Sequence, residues 1–343
     1  MMNSRELFKA TVRGENTPRP PMWVMRQAGR FLPEYRDLKK SYTFTEIVQN
    51  PELAVEATLQ PIRRFDFDCA IIFSDILVVA EALGFEYQFK DTGGIRLLKS
   101  VSNQSDIIEM KARLDEVCVH LQYVEKALTI LRNELPHKAI YGFCGAPWTL
   151  ACYLVQGENV AGFPKLLQFK KDRPDLFEQM MDVLTQASAK YAQMQVETGI
   201  DAFQIFDSHA GLSQNNDYYN ISGKWISKIV DSIRNKVVSV VFANEMSNRL
   251  SEAIKCGADF YSLDATSKLS QIRKNFDVGL QGNLPPDILS NATPQEVSRA
   301  TRDVIEDMLP YKRHIFNLAH GIKPNAKLEN VEAMCQAIKG YKE

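Results

Sequence analysis

Asp201-Ala-Phe-Gln-Ile-Phe-Asp207 opens on an acid, runs through a mostly apolar core and closes on a second acid. Two other stretches repeat the pattern, Asp68-Cys-Ala-Ile-Ile-Phe-Ser-Asp75 and Asp259-Phe-Tyr-Ser-Leu-Asp264. Apolar runs this short and this continuous suit strands covered on both faces, as in a parallel sheet under helices, better than the alternating strands of a half-wet antiparallel sheet. Gly199 and Gly257 stand just before two of them, where a helix would end. Similar runs at Pro21 to Met25, Ala139 to Phe143, Val237 to Phe242, Val278 to Leu280 and His314 to Leu318 bring the candidate strands to eight.

Helical patterns lie between these runs. From Asp172 to Val196 the residues Leu176, Met180, Val183, Leu184, Ala187, Tyr191 and Met194 recur at helical spacing, with start signals at Asp172 and Pro174 and a stop at Gly199. Residues 105–134 and 325–341 read likewise. Eight strand-helix alternations without a low-complexity linker predict an α/β protein, a single (β/α)8 TIM barrel forming one domain over residues 1–343. A doubly wound sheet is the main rival, but its usual phosphate-cradling glycine signatures are missing from the strand-to-helix turns.

The 343 residues are 45% hydrophobic and 24% charged, and 41 Lys and Arg balance 42 Asp and Glu. That balance argues against a nucleic-acid binder, which needs a basic excess for phosphates. Six scattered cysteines without Cys-x-x-Cys spacing read as reduced thiols of a cytoplasmic protein. The first residues turn polar at once, unlike a signal peptide, and no stretch has the length of a membrane span. Residues 1–40 nevertheless carry nine basic side chains against four acidic ones. Such an excess suits an anionic small molecule, and equally a solvated basic face.

Five places could carry chemistry. Pro21-Met-Trp-Val-Met-Arg-Gln-Ala-Gly-Arg-Phe-Leu-Pro-Glu-Tyr35 sets Arg26 and Arg30 four apart, which on a helix would point both guanidinium groups one way. They suit a pair of carboxylate clamps, or a surface helix in which Arg30 pairs with Glu34. Asp75 closes a strand and is either a cap for the next helix or a functional carboxylate on the rim where barrels keep their sites. Gly142-Phe-Cys-Gly-Ala-Pro-Trp-Thr-Leu-Ala-Cys-Tyr153 marks a tight strand-to-helix turn. Ser208 and His209 follow one strand, and Asn317-Leu-Ala-His320-Gly closes the last. No His and Cys spacing for a metal appears. A triad of Ser208, His320 and Asp75 is conceivable but lacks a Gly-x-Ser-x-Gly elbow.

Together these segments resemble the uroporphyrinogen decarboxylase family. Pro-x-Trp-x-Met-Arg-Gln-Ala-Gly-Arg and Gly-Phe-x-Gly-Ala-Pro-Trp-Thr-Leu-x-x-Tyr are similar to its two signature stretches, and Ile-Ile-Phe-Ser-Asp75-Ile-Leu, Phe206-Asp-Ser-His-Ala-Gly and Asn317-Leu-Ala-His-Gly follow in the family's order. The resemblance implies a barrel, a homodimer, and removal of four acetate carboxylates from uroporphyrinogen without cofactor or metal. It implies catalytic roles for Asp75, Arg26 and Tyr153, with Arg30, Ser208 and His320 binding substrate and Gln27, Tyr35 and Phe143 lining the cleft. Ala319, Leu263-Asp264-Ala265 and Gly282-Asn-Leu-Pro-Pro286 depart from the family pattern, as does the stretch near Asn244, which places the differences in the loops after strands five to seven. Two rival functions remain at this level: a zinc- or corrinoid-linked methyltransferase on a related barrel, and a non-catalytic tetrapyrrole carrier. The first needs a His and Cys metal set, and the second would tolerate loss of Asp75.

Overall fold

The structure is a computed structural model, and it describes residues 2–89, 94–213 and 215–341. Nine strands occur among them: β1 (Cys69–Ile71), β2 (Tyr87–Phe89), β3 (Ile95–Leu97), β4 (Ala139–Gly145), β5 (Ala202–Asp207), β6 (Val238–Ala243), β7 (Phe260–Ser262), β8 (Gly279–Leu284) and β9 (His314–Leu318). Seven form one wholly parallel sheet in the order β1-β4-β5-β6-β7-β8-β9. The order follows the chain and never reverses, so the switch point of a doubly wound sheet is absent from it.

The sheet curls. Gln281 of β8 donates from Nε2 to Gln204 Oε1 of β5 at 3.0 Å and to Ser262 Oγ of β7 at 3.1 Å. Side chains three strands apart, about 14 Å in a flat sheet at ~4.8 Å per strand, meet only if both point to the inside of a curve. Trp23 joins the same interior layer: its Nε1 donates to Gln281 Oε1 at 3.0 Å, and its ring lies 4.8 Å from that of Tyr141 on β4. Below, Phe8 of the helix Ser4–Val12 packs edge-on to Tyr141 and covers that end.

Pro21 to Met25 was expected as a strand and carries only an isolated bridge, Met22 to Phe316. Its backbone nonetheless bonds to both edge strands: Trp23 N–H donates to Phe316 O at 3.2 Å, and Cys69 N–H to Met22 O at 3.3 Å. The antiparallel pair β2–β3 is an element the sequence reading missed. It leaves the sheet between β1 and β4, and Tyr-Gln-Phe and Ile-Arg-Leu around Gly93-Gly94 are its signal in the sequence.

Helices cover the outer face. The longest, Pro174–Glu197, begins at Pro174 as expected, but Asp172 ends the preceding helix Pro164–Asp172 instead of capping it. It stops before Gly199, whose φ of 81° a residue with a Cβ adopts only at a cost. Residues 105–134 break into Gln104–Ala112, a 3-10 turn, Val117–His120 and Gln122–Glu134, and the last expected helix is Leu328–Lys339. None of the described helices is long and apolar enough to cross a membrane.

Candidate active site

The Asp-apolar-Asp pattern divides the molecule into two ends. The leading acids lie at the N-terminal ends of the strands, and each is held by donors of the protein. Asp68 takes Arg19 Nη1 and Nη2 at 2.6 and 2.9 Å, Ser4 Oγ at 2.8 Å and Met22 N–H at 3.0 Å. Asp201 takes Arg5 and Arg132, both at 2.8 Å, and Ile140 N–H at 3.1 Å. Asp259 takes both the N–H and the hydroxyl of Ser239 at 2.8 Å. The bonds of Asp68 and Asp201 tie the N-terminal segment to the sheet.

The trailing acids lie on the opposite rim, where the chain leaves parallel strands and active sites of such folds collect. Asp264 is satisfied by Ser247 and Thr266. Asp207, fully buried, accepts from Thr149 Oγ1 and Ser222 Oγ, each at 2.7 Å. Asp75 differs. Its Oδ1 accepts the Leu77 N–H at 2.8 Å, a turn leading into the helix Val78–Ala82, while no donor among the described residues reaches its second oxygen. That bond closes the turn ahead of the helix, whose N-cap is Leu77 with no side-chain cap, so Asp75 does not cap it as one reading expected and offers a lone carboxylate oxygen. Desolvation pushes its pKa up to about 6, opposed by the Leu77 hydrogen bond and by the charge of Arg26.

The N-terminal basic excess is mostly structural. Arg5, Lys9 and Arg19 hold Asp201 and Asp68, Arg13 holds Glu15, Lys40 holds Asp37, and Arg36 donates to the Arg30 and Phe31 carbonyls. Arg26 and Arg30 are both exposed, and neither makes an ion pair among the described residues. Glu34, the expected partner of Arg30 on a surface helix, pairs with Arg64 instead. The segment is also not a helix: Arg26 sits in the left-handed region at φ 64°, and helical structure begins only at Pro33.

Arg26 faces Asp75, Tyr153 and His320, whose ionisation its charge perturbs. The Tyr153 hydroxyl is pushed up to about 12, chiefly by burial and then by Asp75, so it stays a proton-bearing donor at neutral pH. His320 is held below its ordinary value by burial, Arg26 and Lys323, and is a neutral imidazole there. Its ring stands 5.5 Å from Phe242, which continues to Phe206 at 5.9 Å and Phe143 at 5.5 Å. Rings from β4, β5 and β6 thus form an arc that ends at His320. Phe143 is fixed by Gln195, which accepts its N–H and donates to its C=O, both at 3.0 Å.

Ser208 is half-buried, its carbonyl taken by Asn244 Nδ2 at 2.6 Å. No hydrogen bond joins Ser208, His320 and Asp75, so the conceivable triad does not form among these residues. Arg30 instead acts on Tyr35, a buried ring against Phe73 whose hydroxyl burial raises to about 12. Gln27 is fully buried with neither amide atom bonded to protein. Sequence reading missed the sandwich of His209 between Tyr153 (5.1 Å) and Phe163 (4.5 Å). An aromatic just ahead of a helix-starting proline, Phe163-Pro164, was the only signal for it. Burial holds His209 down to about 4. Among the described residues no group of three or more His, Cys, Asp or Glu side chains could hold a metal.

A curled parallel sheet with a carboxylate oxygen left open at Asp75, two unpaired guanidinium groups and an aromatic wall on its C-terminal rim defines a class: an α/β protein with its candidate site where the chain leaves parallel strands. The comparisons with known proteins give the family. The model of the family described as uroporphyrinogen decarboxylase (URO-D) matches residues 3–341, and the chain belongs to that family. The uroporphyrinogen decarboxylase of Methylobacillus flagellatus is 36% identical, covering 97% of this chain and 96% of its own length. That of Christiangramia forsetii is 34% identical with both chains covered fully. Among solved structures, a methyltransferase from Methanosarcina mazei superposes with a TM-score of 0.81 at 20% identity, over 99% of both chains. At that identity the likeness is one of fold.

Proposed function

We propose that the protein removes the four acetate carboxylates of uroporphyrinogen III to give coproporphyrinogen III, without a cofactor, on the rim that carries Asp75. Each turnover replaces a carboxylate by hydrogen: the acetate side chain and one proton give a methyl group and CO2. Loss of CO2 needs an electron sink. Protonation of a pyrrole ring carbon supplies one, an iminium cation that accepts the electron pair of the breaking C–C bond, and a second proton transfer with loss of the first restores the ring. The substrate thus does what a bound cofactor would do elsewhere.

The observation that carries this reading is the lone Asp75 oxygen in a cleft that otherwise presents donors. Pyrrole N–H groups donate to it, and the ring cation forms beside its negative charge. At ~4 Å and an effective dielectric of ~20 such a pair is worth about 4 kcal/mol, roughly three decades in rate where the charge exists only in the transition state. Arg26 and Arg30 take peripheral carboxylates, and the hydroxyls of Tyr153 and Ser208 with the neutral His320 orient the others. A guanidinium is a poor acid, so Tyr153 or a held water is the better proton carrier. Gln27, Tyr35 and Phe143 complete the walls.

Three coarser features belong to the same reading. Pro21 to Met25, bonded to β1 and β9, acts as the eighth stave of a closed (β/α)8 barrel, with residues 1–343 as one domain. The chain works in the cytoplasm, and it pairs with a second copy as a closed two-fold dimer. The deciding experiment is anaerobic incubation with uroporphyrinogen, following carboxylate loss by chromatography of the oxidised porphyrins. Stepwise passage from eight carboxylates to four, with one proton consumed per CO2, is expected; unchanged substrate would refute the assignment.

A further inference from the structure

We propose that Gly321 and Asn317 are positioning residues that aim the Arg26 guanidinium into the cleft; the inference rests on the reading of Arg26 as a substrate-binding residue. The backbone on the N-terminal side of Arg26 is pinned from β9. Asn317 Oδ1 accepts the Met25 N–H at 3.0 Å and is itself oriented by the Leu318 N–H at 2.7 Å, while Ile322 N–H donates to the Met25 carbonyl at 2.9 Å. Between these bonds and the following turn Arg26 holds its left-handed φ of 64°. What remains to be fixed is the direction of its side chain.

Gly321 fixes it by leaving room. A Cβ at that position would stand 2.5 Å from Arg26 Cδ, 2.9 Å from Nε and 3.0 Å from Cγ, and its three nearest neighbours all belong to Arg26. Gly321 does not lie in the left-handed region, so its backbone conformation does not require glycine. The requirement comes from the arginine stem that occupies the place of the methyl group. Cγ and Cδ are not the flexible far end of the side chain. Moving them means turning the stem near its root, and the guanidinium at its end then moves relative to Asp75 and Tyr153, whose ionisation its charge perturbs. The segment that presents His320 therefore also seats Arg26, and coupling between the first stave and the last is built into Asn317-Leu-Ala-His-Gly321.

The test is a double-mutant cycle in the full chain with Gly321→Ala, Arg26→Ala and the double variant, measured by anaerobic steady-state kinetics on uroporphyrinogen and by thermal melting. Gly321→Ala is expected to raise KM and to lower kcat/KM at least tenfold with the melting midpoint unchanged. The double variant is expected to be no worse than Arg26→Ala, because there is no stem left to displace. Wild-type kinetics for Gly321→Ala, or a double variant whose loss is the product of the two single losses, would overturn the proposal. Should Gly321→Ala alone not fold, removal of the stem in the double variant restores folding, and a double variant equally unfolded counts against it. Wild-type kinetics for Arg26→Ala would remove both this inference and the binding role assigned to Arg26, whereas a damaged Arg26→Ala with an additive cycle removes the inference alone.

Discussion

Replacing Asp75 by Asn separates what this carboxylate costs the fold from what it gives the reaction. In the folded protein its pKa is raised from 3.8 to about 6, because burial penalises the ionised form more than the Leu77 hydrogen bond and Arg26 favour it. A raised pKa means that the folded state holds the proton more tightly than the unfolded one. The wild-type protein is therefore most stable, in this respect, below about pH 4, and loses that stability as pH rises through about 6. Two pKa units at 1.36 kcal/mol each give about 3 kcal/mol at pH 7, reduced to roughly 1–3 kcal/mol by the solvent that reaches the cleft. Asn keeps the size and the acceptor for the Leu77 N–H but does not ionise. Asp75→Asn is expected to melt roughly 2–6 °C higher at pH 7 and at the wild-type temperature at pH 4. Its kcat is expected to fall at least a hundredfold, since its amide presents no negative charge to the ring cation. Wild-type kcat/KM should itself fall about tenfold per unit below pH 6 as Asp75 takes up its proton. Melting curves at the two pH values and a pH-rate profile check both halves. Near-normal turnover, or a variant that is less stable at pH 7, would refute the reasoning.

Other predictions follow from the division between the two ends. Asp68→Ala strands the half-buried Arg19 and the Met22 N–H, and should cost about 3–5 kcal/mol in chemical denaturation while kcat of the folded fraction is unchanged; a lowered kcat would place Asp68 in the reaction. Arg30→Ala should raise KM for the octacarboxylate far more than for the final tetracarboxylate product as an inhibitor, and equal effects on the two would return Arg30 to the surface. Activity should survive exhaustive chelation, and a loss in proportion to metal removed would revive the methyltransferase reading. Light scattering at micromolar concentration should give twice the 38.9 kDa chain mass, with specific activity falling on dilution; the monomer mass with full activity throughout would dispose of the dimer.

Much was readable in the chain, because burial on both faces is a local property of a strand's own residues. Seven of the eight expected runs are strands in the expected order, and the family was legible in long motifs that carry Asp75, Tyr153, Ser208 and His320 in fixed local settings. The hairpin β2–β3 escaped because three-residue strands hold too little pattern, and Pro21 to Met25 kept its place but not a full ladder. Charge was the least legible quantity. Nine basic residues in forty look like a ligand site, yet most serve Asp68, Asp201 and other local acids or carbonyls, and Arg5 meets Asp201 across 196 positions of sequence. Only folding decides which arginines reach each acid, and hence which remain unpaired. The same holds for Arg26, whose four-residue spacing to Arg30 suggested a helix. Its left-handed backbone and the slot at Gly321 are set by bonds from β9, nearly three hundred residues away in the chain, which no local pattern near Arg26 can encode.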